Sequence, residues 1–276
     1  MPGEQVSRTA FGTAYMRASH LLLDPPPHIL DDSVILKLLG QQAADRIIQS
    51  AQEYQTPERR GLRSHVVLRS RAAEDRLAAA VQRGITQYVI LGAGLDTFAY
   101  RQPAWARSLR IVEVDHAGTQ TAKRGLIKKA ELPVPENVVF AAVNFEYESL
   151  QVGLKRYQVS LEQPTFFSRL GVTMYLNEQA IDATLHSIAS FPQGSEVVLT
   201  FARADGPPSP FDRKSEELGE KWLSYFTRET MDAKLHSSGF HSVEFLEASD
   251  AAARYFTGEH TSLRAPKHTN IVFAQV

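Results

Sequence analysis

Cysteine is absent from this sequence. The chain can therefore form no disulfide bond, thiolate metal site or cysteine nucleophile. Uninterrupted apolar runs are also short, and none approaches the ~18 residues that a membrane-spanning helix needs. The first residues, MPGEQVSRTAFG, lack the apolar segment of a secretory signal. These absences predict a soluble protein located in the cytoplasm.

An excess of charge of either sign is missing too. The 30 Lys and Arg residues are balanced by 31 Asp and Glu residues, which gives a net charge of −1 at pH 7. Non-specific binding to nucleic acids or membrane surfaces depends on strong electrostatic attraction, so we expect neither as a partner. The HEXXH, Walker and GxSxG signatures are absent, which leaves metalloprotease, nucleoside triphosphatase and α/β-hydrolase functions without support. No metal site is predicted.

The chain has enough length and apolar content for one large domain. Its 276 residues are 43% apolar, which suffices for a core that needs no disulfide or metal to stabilise it. Residues 1–84 are predicted to form a helical arm and cap that belong to the same domain as the rest. Helix starts are indicated at Asp31-Asp32-Ser33 and at Thr56-Pro57, and the prolines at 25–27 interrupt the helices before them.

Residues 85–276 are predicted to form the ligand-binding part of the domain. Near-continuous apolar strands alternate with helices there, a pattern typical of a parallel sheet covered on both faces. The predicted strands are 87–91, 110–115, 137–143, 165–170 and 196–201, and the helices between them are 96–105, 117–130 and 178–191. We therefore predict a doubly wound, mostly parallel, Rossmann-like α/β sheet with its ligand beyond the carboxyl ends of the strands.

The last part of the chain is predicted to complete the sheet and to cover the ligand. A proline-rich loop and a helical segment follow the fifth strand, and residues 203–224 are expected to form a lid. A further helix is indicated from Thr227 to Gly239. Two late strands, 242–246 and 270–276, are expected to pair at one edge of the sheet.

The segment Gly92-Ala93-Gly94-Leu95-Asp96-Thr97, here called the glycine turn, follows the first strand and precedes a predicted helix. Small residues allow a ligand to approach the backbone at such a turn, where amide groups point outwards. Position 97 is Thr where the dinucleotide-binding fingerprint has its third glycine, which argues against NAD or FAD. The alternative interpretation is an ordinary tight turn between a strand and a helix.

An acidic residue ends the next strand. Asp115 lies 21 residues after Gly94, the spacing at which a carboxylate accepts hydrogen bonds from ribose hydroxyls. Glu113 shares this face of the strand but lies deeper, so Asp115 is the better ribose partner. The alternative is that Asp115 caps the helix that begins near Ala117. Together, the glycine turn and Asp115 favour a nucleoside ligand without a diphosphate, a description that S-adenosylmethionine fits.

Three segments carry a close resemblance to the leucine carboxyl methyltransferase family. They are YVILGAGLDTFAYR at 88–101, VEVDH at 112–116 and LGVTMYL at 170–176. More narrowly, the chain resembles bacterial and fungal relatives that are class I S-adenosylmethionine-dependent methyltransferases. The resemblance extends over most of the chain and includes the segments TAYMRASH, LRSRAAEDRL and ARYFTG. It implies S-adenosylmethionine as the cofactor.

The resemblance also implies where the cofactor lies. Gly92–Gly94 would line its methionine part, and Asp115 would hold its ribose. The family places an Asp and an apolar residue near the adenine, and this chain has Asn144 and Phe145 at those positions. Asn144 keeps a carbonyl acceptor for the adenine amino group. Phe145 would form a wall for the adenine ring or would belong to the core.

An arginine of the helix before the first strand contacts the cofactor carboxylate in this family. Arg69 and Arg71 compete for that role, and the helical period favours Arg69, which shares a face with the apolar positions 73, 77 and 80. Arg71 is predicted to face solvent. Six arginines lie between residues 59 and 76, so a solvated basic face is the alternative. Arg17 is a second candidate for the same carboxylate.

Leu170 is the largest departure from the family pattern, because many relatives have a Glu there that holds the ammonium group of the cofactor. Ser168, a backbone carbonyl or water would have to replace that Glu, or the affinity for the cofactor would be lower. Tyr175 follows the fourth strand and is predicted at the mouth of the site, in contact with substrate or in a packing role. None of the nine histidines lies in a motif that marks a general base.

The favoured hypothesis is an S-adenosylmethionine-dependent O-methyltransferase that acts on a small molecule, plausibly a carboxylate, in secondary metabolism. A carboxylate is already anionic near neutral pH and needs no base, so the protein would act mainly by aligning donor and acceptor. The first alternative is a catalytically silent binding or scaffold protein with a methyltransferase-like fold, which Asn144 and Leu170 motivate. The second is a nicotinamide-dependent oxidoreductase, disfavoured by Thr97. The sequence specifies neither the acceptor nor an oligomeric state.

Overall fold

Seven strands form a single sheet in the computed structural model, which describes residues 7–143, 148–206, 209–257 and 263–276. The strands are β1 (Gln87–Leu91), β2 (Arg110–Asp115), β3 (Val138–Ala142), β4 (Thr165–Arg169), β5 (Glu196–Thr200), β6 (Ser242–Phe245) and β7 (Ile271–Gln275). The helices are α1 (Arg8–Leu23), α2 (Ser33–Leu39), α3 (Gln41–Gln49), α4 (Ala51–Tyr54), α5 (Pro57–Gln82), α6 (Ala117–Lys129), α7 (Leu150–Arg156), α8 (Glu178–Ala189), α9 (Pro210–Glu217), α10 (Arg228–Ser238) and α11 (Ala248–Tyr255). In this part of the chain, every helix is too short or too polar to cross a membrane.

The strand order is β3-β2-β1-β4-β5-β7-β6. The first five strands are parallel, and β7 runs antiparallel between β5 and β6. The predicted doubly wound, mostly parallel sheet is confirmed, as is the late antiparallel pair at its edge. The direction in which strands are added reverses between β1 and β4, so a crevice opens at the carboxyl ends of these two strands.

The core lies on both faces of the sheet. Side chains of β1 alternate, so that Val89 and Leu91 belong to one apolar cluster with residues of α7, α8 and α10. Tyr88 and Ile90 belong to the opposite cluster, with residues of α5. Because both faces are covered, all five residues of β1 are buried, which explains why the strand is a continuous apolar run in the sequence.

The N-terminal helices form where the sequence predicts them. The Asp32 side chain caps α2, and Thr56 caps α5, which begins with Pro57 in its first turn. A buried ionic cluster joins α1 to α5: Arg63 donates to both carboxylate oxygens of Asp24, at 2.8 and 2.9 Å. His20 also contacts Asp24, at 2.8 Å, and burial lowers the pKa of this imidazole.

A second buried network connects the N-terminal helices to the glycine turn. Arg17 of α1 pairs with Asp32 at 2.6 Å, and the Thr97 hydroxyl donates to the other oxygen of Asp32 at 2.6 Å. Arg101 lies 3.3 Å from Asp32 and pairs with Glu74 of α5. Removing one member would leave a buried charge unpaired, at a cost of about 3–5 kcal/mol. Thr97, in the place of a fingerprint glycine, is therefore a structural link in this protein.

The helix predicted over 96–105 is wrong. Two single 3₁₀ turns, Phe98–Tyr100 and Ala104–Ala106, occupy this stretch. Asp96 accepts a hydrogen bond from the amide of Phe98 at 2.8 Å, which favours a turn over a helix. Pro103 lacks an amide hydrogen and disfavours a helical conformation of the residue before it. The amides of the glycine turn are therefore turn amides and do not open a helix.

Candidate active site

A cavity of about 1250 Å³ opens at the carboxyl ends of β1, β2 and β4. The first turns of α1 and the middle of α5 line one side, and the segment that follows β5 lines the other. All of the predicted site residues that the structure describes line this cavity: Arg17, Arg69, Gly92, Ala93, Gly94, Asp115, Leu170 and Tyr175. Asn144 and Phe145 fall in 144–147, outside the described residues.

The glycine turn is held against β2 and leaves room for no larger side chain. The amides of Gly92 and Ala93 both donate to the carbonyl of Val114, at 2.8 and 3.0 Å. Gly92 has a φ of +71°, and a Cβ there would overlap Val172. Gly94 has a φ of +46°, and a Cβ there would lie 3.2 Å from that of Ala10 on α1. The glycines are thus required by neighbouring protein atoms as well as by any ligand.

Asp115 points into the cavity and contacts the glycine turn. Its Oδ2 accepts from the amide of Gly94 at 2.6 Å, and its Oδ1 accepts from the amide of His116 at 2.7 Å. Burial raises the pKa of this carboxyl, although both amides act against that rise. The N-cap of α6 is His116, so Asp115 is not the cap residue of this helix. Each carboxylate oxygen keeps a further lone pair for a ligand hydroxyl.

Glu113 lies away from the cavity, as expected for its deeper position on β2. Its carboxylate accepts from Lys123 Nζ at 2.6 Å, and both side chains are about 1% exposed. Burial raises the pKa of Glu113 to about 7. Asp115 is therefore the carboxylate of β2 that a ligand in the cavity can reach.

Arg69 is a cation of the cavity wall that has no bonded partner among the described residues. Its guanidinium rests against Gly171, where an added Cβ would lie 2.7 Å from Nη1, and Gly171 has a φ of +75°. Burial lowers the pKa of Arg69 to about 10, so the group stays charged at neutral pH. Within the residues that the structure describes, it makes no hydrogen bond or ion pair. Arg69 is half-buried at the cavity wall, so an anion that enters the cavity can pair with it.

The orientation predicted from the helical period is confirmed. Arg69 faces the cavity, whereas Arg71 is 46% exposed and pairs with Asp75 at 2.8 Å on the surface of α5. Arg17 lines the cavity as well, but its guanidinium already donates to Asp32, to Thr97 and to the carbonyl of Leu95. Arg17 therefore holds the glycine turn in place.

Leu170 offers no polar atom to an ammonium group. Its side chain packs with the apolar cluster below α5, and the neighbouring Ser168 hydroxyl lies 2.8 Å from that of Tyr88.

Asp96, which was not predicted as a site residue, lies on the cavity wall and interacts electrostatically with Arg69. One of its oxygens accepts from Phe98, and the other is without a hydrogen-bond partner in the described part of the chain. The position of Asp96 inside the glycine turn is the sequence signal that could have identified it as a site residue.

Tyr175 and Trp222 also line the cavity, and Tyr175 interacts electrostatically with Arg69. Tyr175 is in the 3₁₀ turn Thr173–Tyr175, with its hydroxyl 3.5 Å from Ser215 Oγ. The amide of Leu223 donates to the carbonyl of Met174 at 2.6 Å, which fixes the segment around Trp222 beside this turn. The indole nitrogen of Trp222 is buried and has no hydrogen-bond partner in the part of the chain that the structure describes.

His65 lies one helical turn before Arg69 and also lines the cavity. Burial and the neighbouring Arg69 charge lower its pKa to about 3, so the imidazole is neutral at physiological pH. It has no hydrogen-bond partner among the residues described. His65 was not predicted as a site residue. Its spacing of four residues from Arg69 on α5 is the sequence signal that could have identified it.

One protein family matches more than half of this chain. The family model for leucine carboxyl methyltransferase matches residues 10–189, which run from α1 to α8. This chain belongs to the leucine carboxyl methyltransferase family.

Two bacterial relatives are 28% and 33% identical to the chain over the aligned residues. YktD of Bacillus subtilis, a candidate S-adenosyl-L-methionine-dependent methyltransferase, is 33% identical over 66% of this chain and 62% of its own length. A protein of Mycobacterium ulcerans with the same designation is 28% identical over 80% of this chain and 74% of its own. A candidate methyltransferase from Thermobifida fusca shares the fold, with a TM-score of 0.58 and 18% identity over 94% of this chain and 93% of its own.

Membership of the leucine carboxyl methyltransferase family identifies the chain as a methyltransferase that uses S-adenosylmethionine. The cavity fits this cofactor in two respects. Among the described residues, Arg69 is a cation of the wall with no pairing anion, which matches a carboxylate. Asp115 has free lone pairs, which match hydroxyl groups.

A pH effect on stability follows from the neutral histidines of this methyltransferase. The folded-state pKa values of His65 and His20 lie below the ordinary histidine value of 6.5, so the unfolded chain binds more protons than the folded chain as the pH falls below 6.5. Stability is full above pH 6.5 and is expected to fall as the pH drops towards about 3, where His65 titrates in the fold. Thermal unfolding should show a Tm that decreases with acidity, and less steeply in His65→Gln. Parallel Tm profiles for the two proteins would contradict the buried, neutral state of His65.

Proposed function

We propose that this chain transfers the methyl group of S-adenosylmethionine to an oxygen of a small-molecule carboxylate, in the cytoplasm and in secondary metabolism. The observation that carries the proposal is the excess of unpaired hydrogen-bond donors on the cavity wall. Among the described residues, neither Arg69 nor His65 has a hydrogen-bond partner, and both line the cavity. The guanidinium of Arg69 has more N–H donors than one cofactor carboxylate uses, and neutral His65 offers one further N–H. An acceptor that brings negatively charged oxygen satisfies such a wall.

The carboxylates on the wall are, in contrast, already bound by protein donors. Asp115 accepts two amides, Asp212 accepts from the Tyr225 hydroxyl, and Glu220 accepts from the start of α1. Asp96 and Asp212 each keep one oxygen without a hydrogen-bond partner in the described part of the wall. Of these two carboxylates, Asp96 lies in the glycine turn and is the one that interacts electrostatically with Arg69.

A charged side chain of the wall is assigned to each charged end group of the cofactor. In this proposal Arg69 binds the carboxylate of the cofactor, and Asp96 takes its ammonium group in place of the family Glu that Leu170 replaces. Asp115 accepts from the ribose hydroxyls, and Gly92–Gly94 lie against the methionine chain. Arg17 acts indirectly, because it holds the glycine turn. Asn144 and Phe145 remain predicted adenine contacts.

The sulfonium of S-adenosylmethionine supplies an activated methyl group, so the protein needs to align the acceptor and exclude water. Alignment alone can contribute several kcal/mol, up to ~7–11 in favourable cases. A His65 imidazole with a pKa near 3 is a weak base, which favours an acceptor that is already ionised. Residues 203–224 act as the lid in this proposal, with Tyr175 and Trp222 facing the acceptor.

The chemical test is the type of bond that the product contains. Labelled S-adenosylmethionine is incubated with matched pairs of small aromatic and aliphatic carboxylic acids and their alcohols. Methyl esters are expected, and they are recognised by release of labelled methanol in mild base. Methyl ethers, which survive base, would contradict the carboxylate proposal. Binding of S-adenosylhomocysteine without transfer to any acid or alcohol would favour the silent binding protein.

A further inference from the structure

The carboxylate of Glu220 joins the two sides of the cavity. Its Oε1 accepts from the backbone amide of Arg8 at 2.5 Å. Its Oε2 accepts from the Ser7 hydroxyl at 3.1 Å, from the amide of Thr9 at 3.3 Å and from the Thr9 hydroxyl. One side chain that follows α9 therefore binds the first turn of α1, more than 200 residues away in the sequence.

The start of α1 needs this acceptor. The first amides of a helix have no partner within the helix, and the helix dipole makes this end positive. Ser7 caps the helix by accepting from the amide of Ala10 at 3.1 Å, which leaves the amides of Arg8 and Thr9 for Glu220. The carboxylate thus provides both the hydrogen-bond acceptors and the charge that this helix end requires.

The first turn of α1 lies directly over the glycine turn. The Cβ of Ala10 is 3.2 Å from where a Cβ of Gly94 would be, and Thr9, Ala10 and Thr13 all line the cavity. The position of this helical turn therefore sets how much space remains above Gly94. A displacement of α1 at this end would open the cavity where the methionine part of the cofactor is proposed to lie.

Glu220 itself is fixed from the other side. Its amide donates to the carbonyl of Ser215 at 2.8 Å, and three residues later Leu223 is bonded to Met174. The other acidic residues at the end of α9 pair with lysines: Glu217 with Lys214 at 2.9 Å and Glu216 with Lys221 at 3.3 Å. Among the described residues, Glu220 is the acid of this segment that reaches α1.

We propose that Glu220 is a positioning residue of the cofactor site, which holds the first turn of α1 over the glycine turn and must release it for the cofactor to enter or leave. The proposal rests on the proposed placement of S-adenosylmethionine in this cavity. Both oxygens of the Glu220 carboxylate are bound by the first turn of α1. It acts through α1, so its removal changes the rate of cofactor exchange before it changes any chemical step.

The first test compares Glu220→Gln and Glu220→Ala with the matched control Glu217→Gln. The dissociation rate of S-adenosylhomocysteine, followed by stopped-flow tryptophan fluorescence, is expected to rise by about 10- to 100-fold in the Glu220 variants, since charge-assisted hydrogen bonds are lost. Hydrogen exchange at the amides of residues 8–13 should accelerate in parallel. The control should keep the rates of the unmodified chain, because its lysine pair is on the surface.

A reversible cross-link tests the same idea in one molecule. The natural chain has no cysteine, so Thr9→Cys with Glu220→Cys introduces the only two thiols. A short bifunctional methanethiosulfonate that joins them is expected to trap bound, labelled S-adenosylhomocysteine until dithiothreitol is added. Free exchange in the cross-linked protein would overturn the proposal.

The outcomes separate this proposal from the proposed function. Unchanged dissociation rates and unchanged exchange at residues 8–13 in both Glu220 variants, with normal binding of S-adenosylhomocysteine, would overturn the positioning role alone. If Glu220→Ala fails to fold, Glu220→Gln and the cross-link still decide the question. An unmodified chain that does not bind S-adenosylhomocysteine would overturn the cofactor placement, and the positioning role with it.

Discussion

Replacing Arg69 with methionine is expected to weaken the binding of S-adenosylhomocysteine by about 100-fold, or roughly 3 kcal/mol. Methionine keeps the apolar length of the side chain and removes the charge. The guanidinium rests on Gly171 and has no partner among the described residues. In the variant, a bound carboxylate would therefore lose the cation that pairs with it. Isothermal titration calorimetry measures the loss directly.

Two controls show whether the charge acts on that carboxylate. Arg71→Met removes an exposed arginine of the same helix, whose surface pair with Asp75 is worth only about 0.3–0.5 kcal/mol, and should bind normally. Methylthioadenosine lacks the amino-acid part of the cofactor, so its affinity should not change in Arg69→Met. An equal loss of affinity for both ligands would mean that Arg69 supports the fold and not the carboxylate.

Asp115→Ala is expected to reduce the affinity for S-adenosylhomocysteine by about 30- to 100-fold. Hydrogen bonds from ligand hydroxyls to a charged acceptor contribute about 1.5–3 kcal/mol, and the substitution removes the whole carboxylate. The variant also frees the Gly94 amide, which Asp115 binds at 2.6 Å. Asp115→Asn keeps one carbonyl acceptor and should lose less affinity than Asp115→Ala.

Deoxyribose analogues of S-adenosylhomocysteine separate ribose recognition from support of the glycine turn. If Asp115 binds the ribose, the unmodified chain discriminates strongly against the analogues, and Asp115→Ala binds the natural and the deoxy ligands almost equally. Discrimination that persists in Asp115→Ala would assign the ribose to another residue. This double comparison isolates the pairwise interaction in the way a double-mutant cycle does.

Local sequence signals predict most of the sheet and its helices. Five apolar runs bounded by turn residues become β1–β5, each within about a residue of the expected ends. The caps at Asp32 and Thr56 and the stop at Gly239 mark their helices correctly. These features could be predicted because each depends on residues close together in the chain.

The errors arise where distant residues decide the local structure. In the stretch expected to be a helix after the glycine turn, Thr97 is bound to Asp32 and Arg17 of the N-terminal helices. These distant contacts add to the turn that Asp96 and Pro103 favour locally. Helices α7 and α11 were not predicted. Both are short, at seven and eight residues, and give too few helical turns for a periodic pattern to stand out.

The candidate site also contains some residues that local sequence signals predict and others that they do not. The helical period correctly turns Arg69 inwards, and strand position places Asp115 beside the glycine turn. Asp96, His65 and Glu220 escaped attention because their importance depends on what they face across the cavity. No local motif indicates that Glu220 contacts a helix whose start precedes it by more than 200 residues.

The network around Thr97 has a consequence for protein engineering. Swapping residues 1–84 between relatives is an obvious route to a new acceptor preference, because those residues form much of one cavity wall. Arg17, Asp32 and Glu74 would travel with such a graft, whereas Thr97 and Arg101 would stay behind in the recipient. A functional chimera must therefore import positions 97 and 101 together with the helices, as a single transplantable unit.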